Sequence, residues 1–236
     1  MASEYEMHFP FTTQKEILDW EARYIEDQSE KRQHQEQAVI DIEKAVNARK
    51  TLNTPGGYLL TDELQDMGKW KHRALPSIMD NNRPEHVEKI TAEAFSPGDD
   101  WEKLKKLISY YGGLQGVRQS VASVILHLYD PKKYPILDEH ALRSVGIKEK
   151  YVHGPEYPFW QEYVNLCRAE AEHYDVSMRT LDRALYKYSE GGGVFTLKII
   201  ADETLFLELE RRGYDLSKLR DLDETQTHTS ESVKIG

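Results

Sequence analysis

The sequence predicts an all-α protein, and three observations support this fold class. Apolar residues recur at three- and four-residue steps along most of the chain, as on the buried face of a helix. Alternating runs of β-branched residues, which are typical of strands, are few. Clusters of Gly, Pro and Asn divide the chain into segments of helical length. With 236 residues, 39% of them hydrophobic, the chain is long enough to bury a sizeable core.

The N-terminal part, residues 1–50, is predicted to be a long helical segment. From Thr13 onward it contains neither Gly nor Pro. Its apolar residues lie at helical spacing: Ile17, Trp20, Tyr24, Ala38, Ile42 and Ala45. The polar stretch 28–37 leaves two alternatives open, one long helix or two shorter helices. The sequence Asn-Thr-Pro-Gly-Gly at 53–57 ends the segment by its turn chemistry.

Residues 51–190 are predicted to form the helical core. Capping residues, prolines suited to a first helical turn and glycine-containing turns mark the boundaries. These signals predict helices over residues 61–71, 84–95 and 99–110, from 119 onward, over about 155–173 and over 177–189. The last of these helices has an apolar face that includes Leu181, Ala184 and Leu185, and we interpret it as a packing helix without chemistry.

Residues 191–236 are predicted to be a C-terminal extension. Three consecutive glycines at 191–193 form a flexible break. The mixed periodicity of residues 194–209 leaves helix and strand open. The last dozen residues are too polar to pack, so we expect them to be disordered.

Cysteine usage and hydropathy exclude several classes of protein. Cys167 is the single cysteine, which excludes an internal disulfide, a cysteine zinc cage and a four-cysteine iron–sulfur cluster. No apolar run approaches the ~20 residues of a membrane span, and residues 1–6 lack the order of a secretion signal. We therefore expect an intracellular protein, cytoplasmic or associated with the nucleoid or nucleus, that does not bind membranes. The histidines lack the paired spacing of a metal site, and we expect no metal and no other cofactor.

The distribution of charge leaves room for a nucleic-acid partner. A net charge of -10 argues against phosphate binding, which depends on Lys and Arg. Residues 101–150 are the exception, because they carry nine Lys and Arg against five Asp and Glu. This block is the candidate for contact with a nucleic-acid backbone.

The most informative segment lies in that basic block. A predicted helix ends at the glycines 112–113, a tight turn follows through residues 114–117, and a buried helix begins near Gln119. Two helices joined by a short glycine-bearing turn present backbone N–H groups at a helix start. Such an arrangement suits a phosphate group.

The residues after this helix end in a carboxylate at the predicted start of the next helix. Lys132 and Lys133 lie in a basic turn, and residues 134–137, Tyr-Pro-Ile-Leu, run extended. Asp138 then stands where the next helix starts. A carboxylate at a helix start is typically an N-cap, and this role is compatible with a second, chemical one.

This combination resembles the helix-hairpin-helix DNA glycosylases. The residues that carry the resemblance are Leu114, Gly116, Val117, Ser120, Ala122, the run Tyr134-Pro135-Ile136-Leu137-Asp138, and Arg143. About 35 of the 236 residues match closely. The resemblance implies a two-lobed helical fold with a cleft, into which a damaged or modified nucleotide is flipped out of double-stranded DNA.

The resemblance also implies roles for two residues. Asp138 matches the aspartate that stabilises the sugar cation formed as the N-glycosidic bond breaks. Ser120 stands where bifunctional members carry a nucleophilic lysine. The chain therefore resembles monofunctional members, which release the base with water and leave an abasic site. The iron–sulfur cluster of some relatives is excluded by the single cysteine.

By the same match, a set of residues around the turn is predicted to hold the DNA backbone. These are Leu114, Gly116, Val117, Arg118, Gln119, Ser120, Lys132, Lys133 and Arg143. Arg118 departs from the pattern, because it stands where the second glycine of the hairpin is usual. Either the turn is remodelled there, or the guanidinium itself contacts phosphate.

Candidates for recognition of the base precede the turn or follow Asp138. They are Tyr58, Trp70, Lys71 and His140. Trp70 has two interpretations, a platform that stacks on a base or an ordinary core aromatic beside a solvated basic helix end.

Two functions are thus expected from the sequence. The first is a monofunctional DNA glycosylase with Asp138 as its catalytic residue. The alternative is a catalytically inactive, glycosylase-like module for DNA binding or protein interaction. Asp138 favours the first, whereas Arg118 and the acidic net charge favour the second.

Overall fold

The computed structural model describes residues 7–51, 54, 56–72, 75–147 and 159–191. All of them belong to one compact unit, Met1–Phe195. The prediction of an all-α protein is confirmed, since every regular element within these ranges is a helix. The α-helices are α1 (Gln14–Glu26), α2 (Glu30–Ala48), α3 (Thr61–Lys71), α4 (Leu75–Met79), α5 (Pro84–Phe95), α6 (Asp100–Leu107), α7 (Gln119–Tyr129), α8 (Glu139–Ser144), α9 (Trp160–His173) and α10 (Met178–Glu190).

The N-terminal segment forms two helices rather than one. Thr13 caps α1 by accepting a hydrogen bond from the backbone N–H of Glu16, at 3.2 Å. Ser29 caps α2 in the same way, accepting from the backbone N–H of Arg32 at 3.3 Å. Because the break lies at residues 27–29, most of the polar stretch 28–37 belongs to α2, where most of its side chains are exposed but Glu36 is buried.

The other predicted helices agree with the structure except at some ends. Helices α3 and α5 have the predicted bounds. Helix α6 stops at Leu107, three residues before the predicted end, and a 3-10 turn at Ser109–Tyr111 continues the chain. The short helix α4 was not predicted. Helix α9 begins at Trp160, whereas the predicted residues 155–158 and everything from 192 onward lie outside the described ranges.

Helix α7 forms the centre of the core. Nine of its eleven residues, Gln119 and all from Val121 to Leu128, are buried. It packs against α2, α5 and α6. Helix α10 lies along α1 and also contacts α8 and α9. The core therefore includes contacts between the N-terminal helices and α10, the last described helix.

The turn before α7 depends on two glycines with positive φ. Gly112 has φ 89° and Gly116 has φ 82°, a region that favours glycine. Leu114 and Val117 are fully buried and fix the turn to the core. The backbone N–H of Ser109 donates to the carbonyl of Val117 at 2.9 Å, which closes the loop.

No helix among the described residues has both the length and the apolar character required to cross a lipid bilayer.

Substituting each of the two turn glycines by alanine separates backbone strain from packing. A Cβ at Gly112 would meet nothing within 4 Å, so Gly112→Ala should cost only the conformational term, about 1 kcal/mol. A Cβ at Gly116 would lie 3.2 Å from side-chain atoms of Ile78 and Met79. We expect Gly116→Ala to lower the free energy of unfolding by a further ~1–2 kcal/mol, measured by urea denaturation. Equal losses in both variants would show that the contact of the turn with α4 is unimportant.

Candidate functional site

The extended residues 134–138 cross the protein interior without a partner strand. Their backbone groups are paired with buried side chains instead. Asp182 of α10 accepts from the N–H of Ile136 with both carboxylate oxygens, at 3.1 and 3.2 Å. Ser123 of α7 accepts from the N–H of Leu137 at 2.8 Å. Two helices that are distant in sequence thus fix the path of the chain just before Asp138.

The start of the same segment is held at Tyr134. The Nδ1–H of His127 donates to the Tyr134 carbonyl at 2.7 Å. Complete burial lowers the pKa of His127 to about 3, so the ring is neutral at pH 7. The phenol of Tyr134 donates to Asp100 at 2.7 Å. These contacts restrict the conformation of the residues that precede Asp138.

Asp138 caps α8 and also forms an ion pair. Its Oδ1 accepts from the backbone N–H of His140 at 3.0 Å, as the sequence predicts for an N-cap. Its Oδ2 lies 2.7 Å from the Nζ of Lys71, on α3. Burial raises the pKa of Asp138, but Lys71 and the His140 N–H outweigh that effect and hold the pKa below its usual range. The carboxylate is therefore ionised at pH 7.

Asp138 lines a cavity of about 260 Å³, a volume close to the lower end of the range for small-molecule sites. Helices α2, α3, α8 and α10 each contribute side chains to its walls. The lining residues are Tyr24, Arg32, Trp70, Lys71, Ile136, Asp138, Glu139, His140, Ala141, Arg179, Asp182, Arg183 and Tyr186. Of the four predicted base-recognition residues, the structure thus brings Trp70, Lys71 and His140 to the same cavity as Asp138.

Tyr58 lies elsewhere. It is outside the cavity, and the guanidinium of Arg49 lies over its ring, 5.3 Å from the centroid. The Tyr58 carbonyl also accepts a hydrogen bond from Arg49, at 3.2 Å. Tyr58 therefore belongs to the junction between α2 and α3.

Glu36 organises the charges behind the cavity. It is buried, and it accepts from Tyr24 at 2.7 Å and from the indole N–H of Trp70 at 3.1 Å. It also pairs with Arg179 at 2.6 Å and with Arg183 at 3.3 Å. Burial raises the pKa of Glu36, but the two arginines and the Tyr24 hydrogen bond together lower it to about 2. Glu36 thus pairs with both arginines of α10, and Arg183 also pairs with Glu21 at 3.1 Å.

Trp70 is enclosed rather than open to a base. Its side chain is 5% exposed. The guanidinium carbons of Arg32 and Arg179 each lie over the ring, 4.9 Å from its centroid. Such contacts stabilise both partners, and a base that stacked on this ring would have to displace them. The aromatic surface left at the cavity belongs to Tyr186 and His140, whose ring centroids are 4.6 Å apart.

The contribution of α10 to the site was missed by the sequence analysis. Arg179, Asp182, Arg183 and Tyr186 all line the cavity. Their spacing of three, four and seven residues places them on one side of the helix. A polar and aromatic stripe that runs beside the apolar face was the available signal.

The buried acid of that stripe has an unusual environment. Complete burial raises the pKa of Asp182 to about 7, against the opposing effects of Arg179 and the Ile136 N–H. His127 lies 4.0 Å away but is neutral. Asp182 thus holds the backbone of residues 134–138 while it remains close to its titration point at neutral pH.

The residues predicted to hold DNA fall into four groups, three of which lie at the turn or carry an exposed cation. Leu114, Val117 and Gln119 are buried, so they shape the turn from within. Gly116 and Ser120 are partly buried at the turn and the start of α7. Arg118 and Lys132 are exposed, and neither has an ion-pair partner within the part of the chain that the structure describes.

The remaining two cations of that set are already paired. Lys133 forms an ion pair with Asp100, which also pairs with Arg168 at 3.1 Å. Arg143 pairs with Glu139, one turn earlier on α8. The cationic surface around the turn is therefore smaller than the count of basic residues indicates.

A search of the described residues found no group of three or more His, Cys, Asp and Glu side chains that could hold a metal ion.

Comparisons with models of protein families, with curated proteins and with solved structures gave no match.

Replacing Glu36 tests the charge arrangement behind the cavity. Glu36→Gln leaves Arg179 without its buried counterion and leaves Arg183 with Glu21 alone, so we expect the free energy of unfolding at pH 7 to fall by about 3 kcal/mol. Because the pKa of Glu36 in the folded chain is about 2 against 4.5 for a free glutamate, the ionised group stabilises the fold fully above pH 4.5. That stabilisation is lost as the pH falls from 4.5 toward 2, so the difference between wild type and variant should shrink over that range.

Urea denaturation at several pH values measures this difference. Glu26→Gln, an exposed glutamate on α1, is the matched control and should change stability by less than about 0.5 kcal/mol. A loss in Glu36→Gln that is independent of pH would contradict the assignment of Glu36 as the counterion.

Proposed function

We propose that this chain is a monofunctional DNA N-glycosylase of the helix-hairpin-helix type, with a two-lobed helical fold. It would bind double-stranded DNA and hydrolyse the N-glycosidic bond of a damaged or modified base that is flipped into the cavity. The observation that carries the proposal is the position of Asp138. An ionised carboxylate follows a rigidly held extended segment and opens into a cavity with aromatic and cationic walls.

The chemistry suits an ionised carboxylate in this position. As the bond between C1′ and the base breaks, positive charge develops on the sugar ring, and a fixed negative charge nearby lowers the energy of that state. Water then adds its oxygen to C1′, and a proton from the water passes to the departing base. The contacts that hold residues 134–138 support this role, because a preorganised charge does not have to move during the reaction.

The turn before α7 supports a role in holding the DNA backbone. The first turn of α7 presents backbone N–H groups next to the exposed guanidinium of Arg118. Both are donors suited to phosphate oxygens. Lys132 adds a second exposed cation at the other end of the same helix.

The proposed absence of strand cleavage depends on Ser120. This residue stands where the resemblance places the nucleophilic lysine of bifunctional enzymes, and its hydroxyl cannot form a Schiff base. Lys71 is an amine at the cavity, but it lies on α3 and is paired with Asp138 at 2.7 Å. Borohydride trapping of an enzyme–DNA adduct would test Lys71 directly, since only an amine that attacks C1′ gives a reducible product.

A second function, a non-catalytic DNA-binding module, is favoured by the same ion pair. Lys71 neutralises Asp138, and a neutralised carboxylate stabilises a sugar cation less. The ion pairs of Lys133 and Arg143 also reduce the charge available to DNA. Turnover separates the two functions, because a module of this kind binds without releasing a base.

Replacement of Asp138 is the direct test of the proposed reaction. Asp138→Asn keeps the shape and the N-cap acceptor but removes the charge, so base release should fall at least about 100-fold. Binding to duplexes that carry an abasic analogue should change by less than about threefold. The measurement is release of the base from labelled duplexes with different lesions, followed by alkali to reveal abasic sites.

Asp41→Asn is the control, since Asp41 is an exposed aspartate on α2 that pairs only with side chains of its own helix. No release by the wild-type chain from any duplex, together with intact DNA binding, would favour the non-catalytic module. Strand cleavage before alkali would show that the enzyme is bifunctional.

A further inference from the structure

One cation of the cavity lining has no carboxylate partner among the described residues. The ammonium of Lys71 is paired with Asp138, and the guanidinium groups of Arg179 and Arg183 are paired with Glu36. Arg32 is the remaining cation of the lining. Among the described residues it has no carboxylate partner, and its hydrogen bond goes to the carbonyl of Trp70.

The negative charges of the lining do not offset Arg32. Asp138 has its own partner, as does Glu139, which pairs with Arg143. Both carboxylate oxygens of Asp182 face the backbone N–H of Ile136. Arg32 is therefore the cation of the described lining whose guanidinium is available to pair with a group that enters the cavity.

Two further polar atoms of residues that line the cavity have no hydrogen-bond partner among the described residues. The Nδ1 of His140 and the Nε of Arg183 are buried, and neither has a hydrogen-bond partner within the described ranges. The Nε of arginine is always a donor, and the Nδ1 of a histidine is a donor in one tautomer. Buried donors without acceptors are costly, so a ligand that supplied acceptors would be favoured.

Tyr186 gives the cavity an aromatic surface beside one of these atoms, since its ring centroid lies 4.6 Å from that of His140. Asp138 and Arg32 line the same cavity. A base that entered against Tyr186 would therefore share the cavity with both the carboxylate and the unpaired guanidinium.

We infer that the cavity selects a flipped base with a carbonyl-rich or anionic edge, as in oxidised or deaminated bases, and discriminates against positively charged N-alkylated purines. The inference rests on the proposed function and narrows its substrate class. Arginine binds acceptor pairs on a base edge through two parallel hydrogen bonds. The same guanidinium repels a purine that carries a positive charge.

The test compares duplexes that contain 8-oxoguanine, uracil, 7-methylguanine or a tetrahydrofuran abasic analogue. The modified nucleosides carry a 2′-fluoro group, which slows glycosidic cleavage, so that binding is measured apart from turnover. We expect the wild-type chain to bind 8-oxoguanine, uracil or both more tightly than 7-methylguanine and the abasic analogue. The preferred carbonyl-bearing base distinguishes an oxidised from a deaminated substrate.

Arg32→Gln should weaken binding of the preferred duplex by roughly 10- to 100-fold and leave abasic binding within about twofold. Arg32→Lys keeps the charge but loses the paired donors, so it should retain part of the preference. Arg23→Gln is the matched control. Arg23 lies over Trp20 at 4.5 Å on the exposed side of α1, so this variant removes an arginine–tryptophan contact away from the cavity.

Three outcomes would overturn the inference. The first is tighter binding of 7-methylguanine than of either carbonyl-bearing base. The second is an equal loss on every duplex in Arg32→Gln, the abasic one included, which would assign Arg32 to a phosphate. The third is no preference for any base over the abasic analogue. Release of bases from the corresponding 2′-deoxy duplexes is scored separately, so a chain that binds with the expected preference but releases nothing would fail the proposed reaction and keep the inference.

Discussion

The candidate site depends on the burial of an extended chain segment that has no strand beside it. Unpaired backbone groups in an interior are costly, so residues 134–138 require partners from other elements. Asp182, Ser123 and His127 supply them from two helices, α10 and α7. Because these side chains are themselves buried in the core, the position of the cavity carboxylate follows from how the helices pack.

The charged side chains around the cavity likewise depend on partners from other elements. Buried charges are tolerated when they are paired, and nearly every ionised group around the cavity has a partner from another element. Lys71 reaches Asp138 across 67 positions of sequence, and Arg179 reaches Glu36 across 143. These pairs join α2, α3, α8 and α10 at one place. The proposed substrate specificity depends on the guanidinium of Arg32, which has no carboxylate partner among the described residues.

Local signals in the sequence were sufficient to predict most of the helices and the position of Asp138. Pro84, the caps at Thr13 and Ser177, and the turn glycines act within a few residues, so their effects can be predicted from the neighbouring sequence. The partners of Asp138 could not be predicted, because they depend on which helix faces meet. For the same reason no local pattern indicates the role of Arg32, and none decides between the two interpretations of Trp70.

The anchoring of residues 134–138 also determines how their amide hydrogens exchange with solvent. Amides outside helices and sheets usually exchange through small local openings. The N–H groups of Ile136 and Leu137 are bound to buried acceptors on two different helices, so no opening of one element frees both. Exchange of the Ile136 N–H requires α10 to separate from the segment, and exchange of the Leu137 N–H requires α7 to do so. Two amides in an irregular segment therefore belong with the slowest-exchanging positions of the helical core.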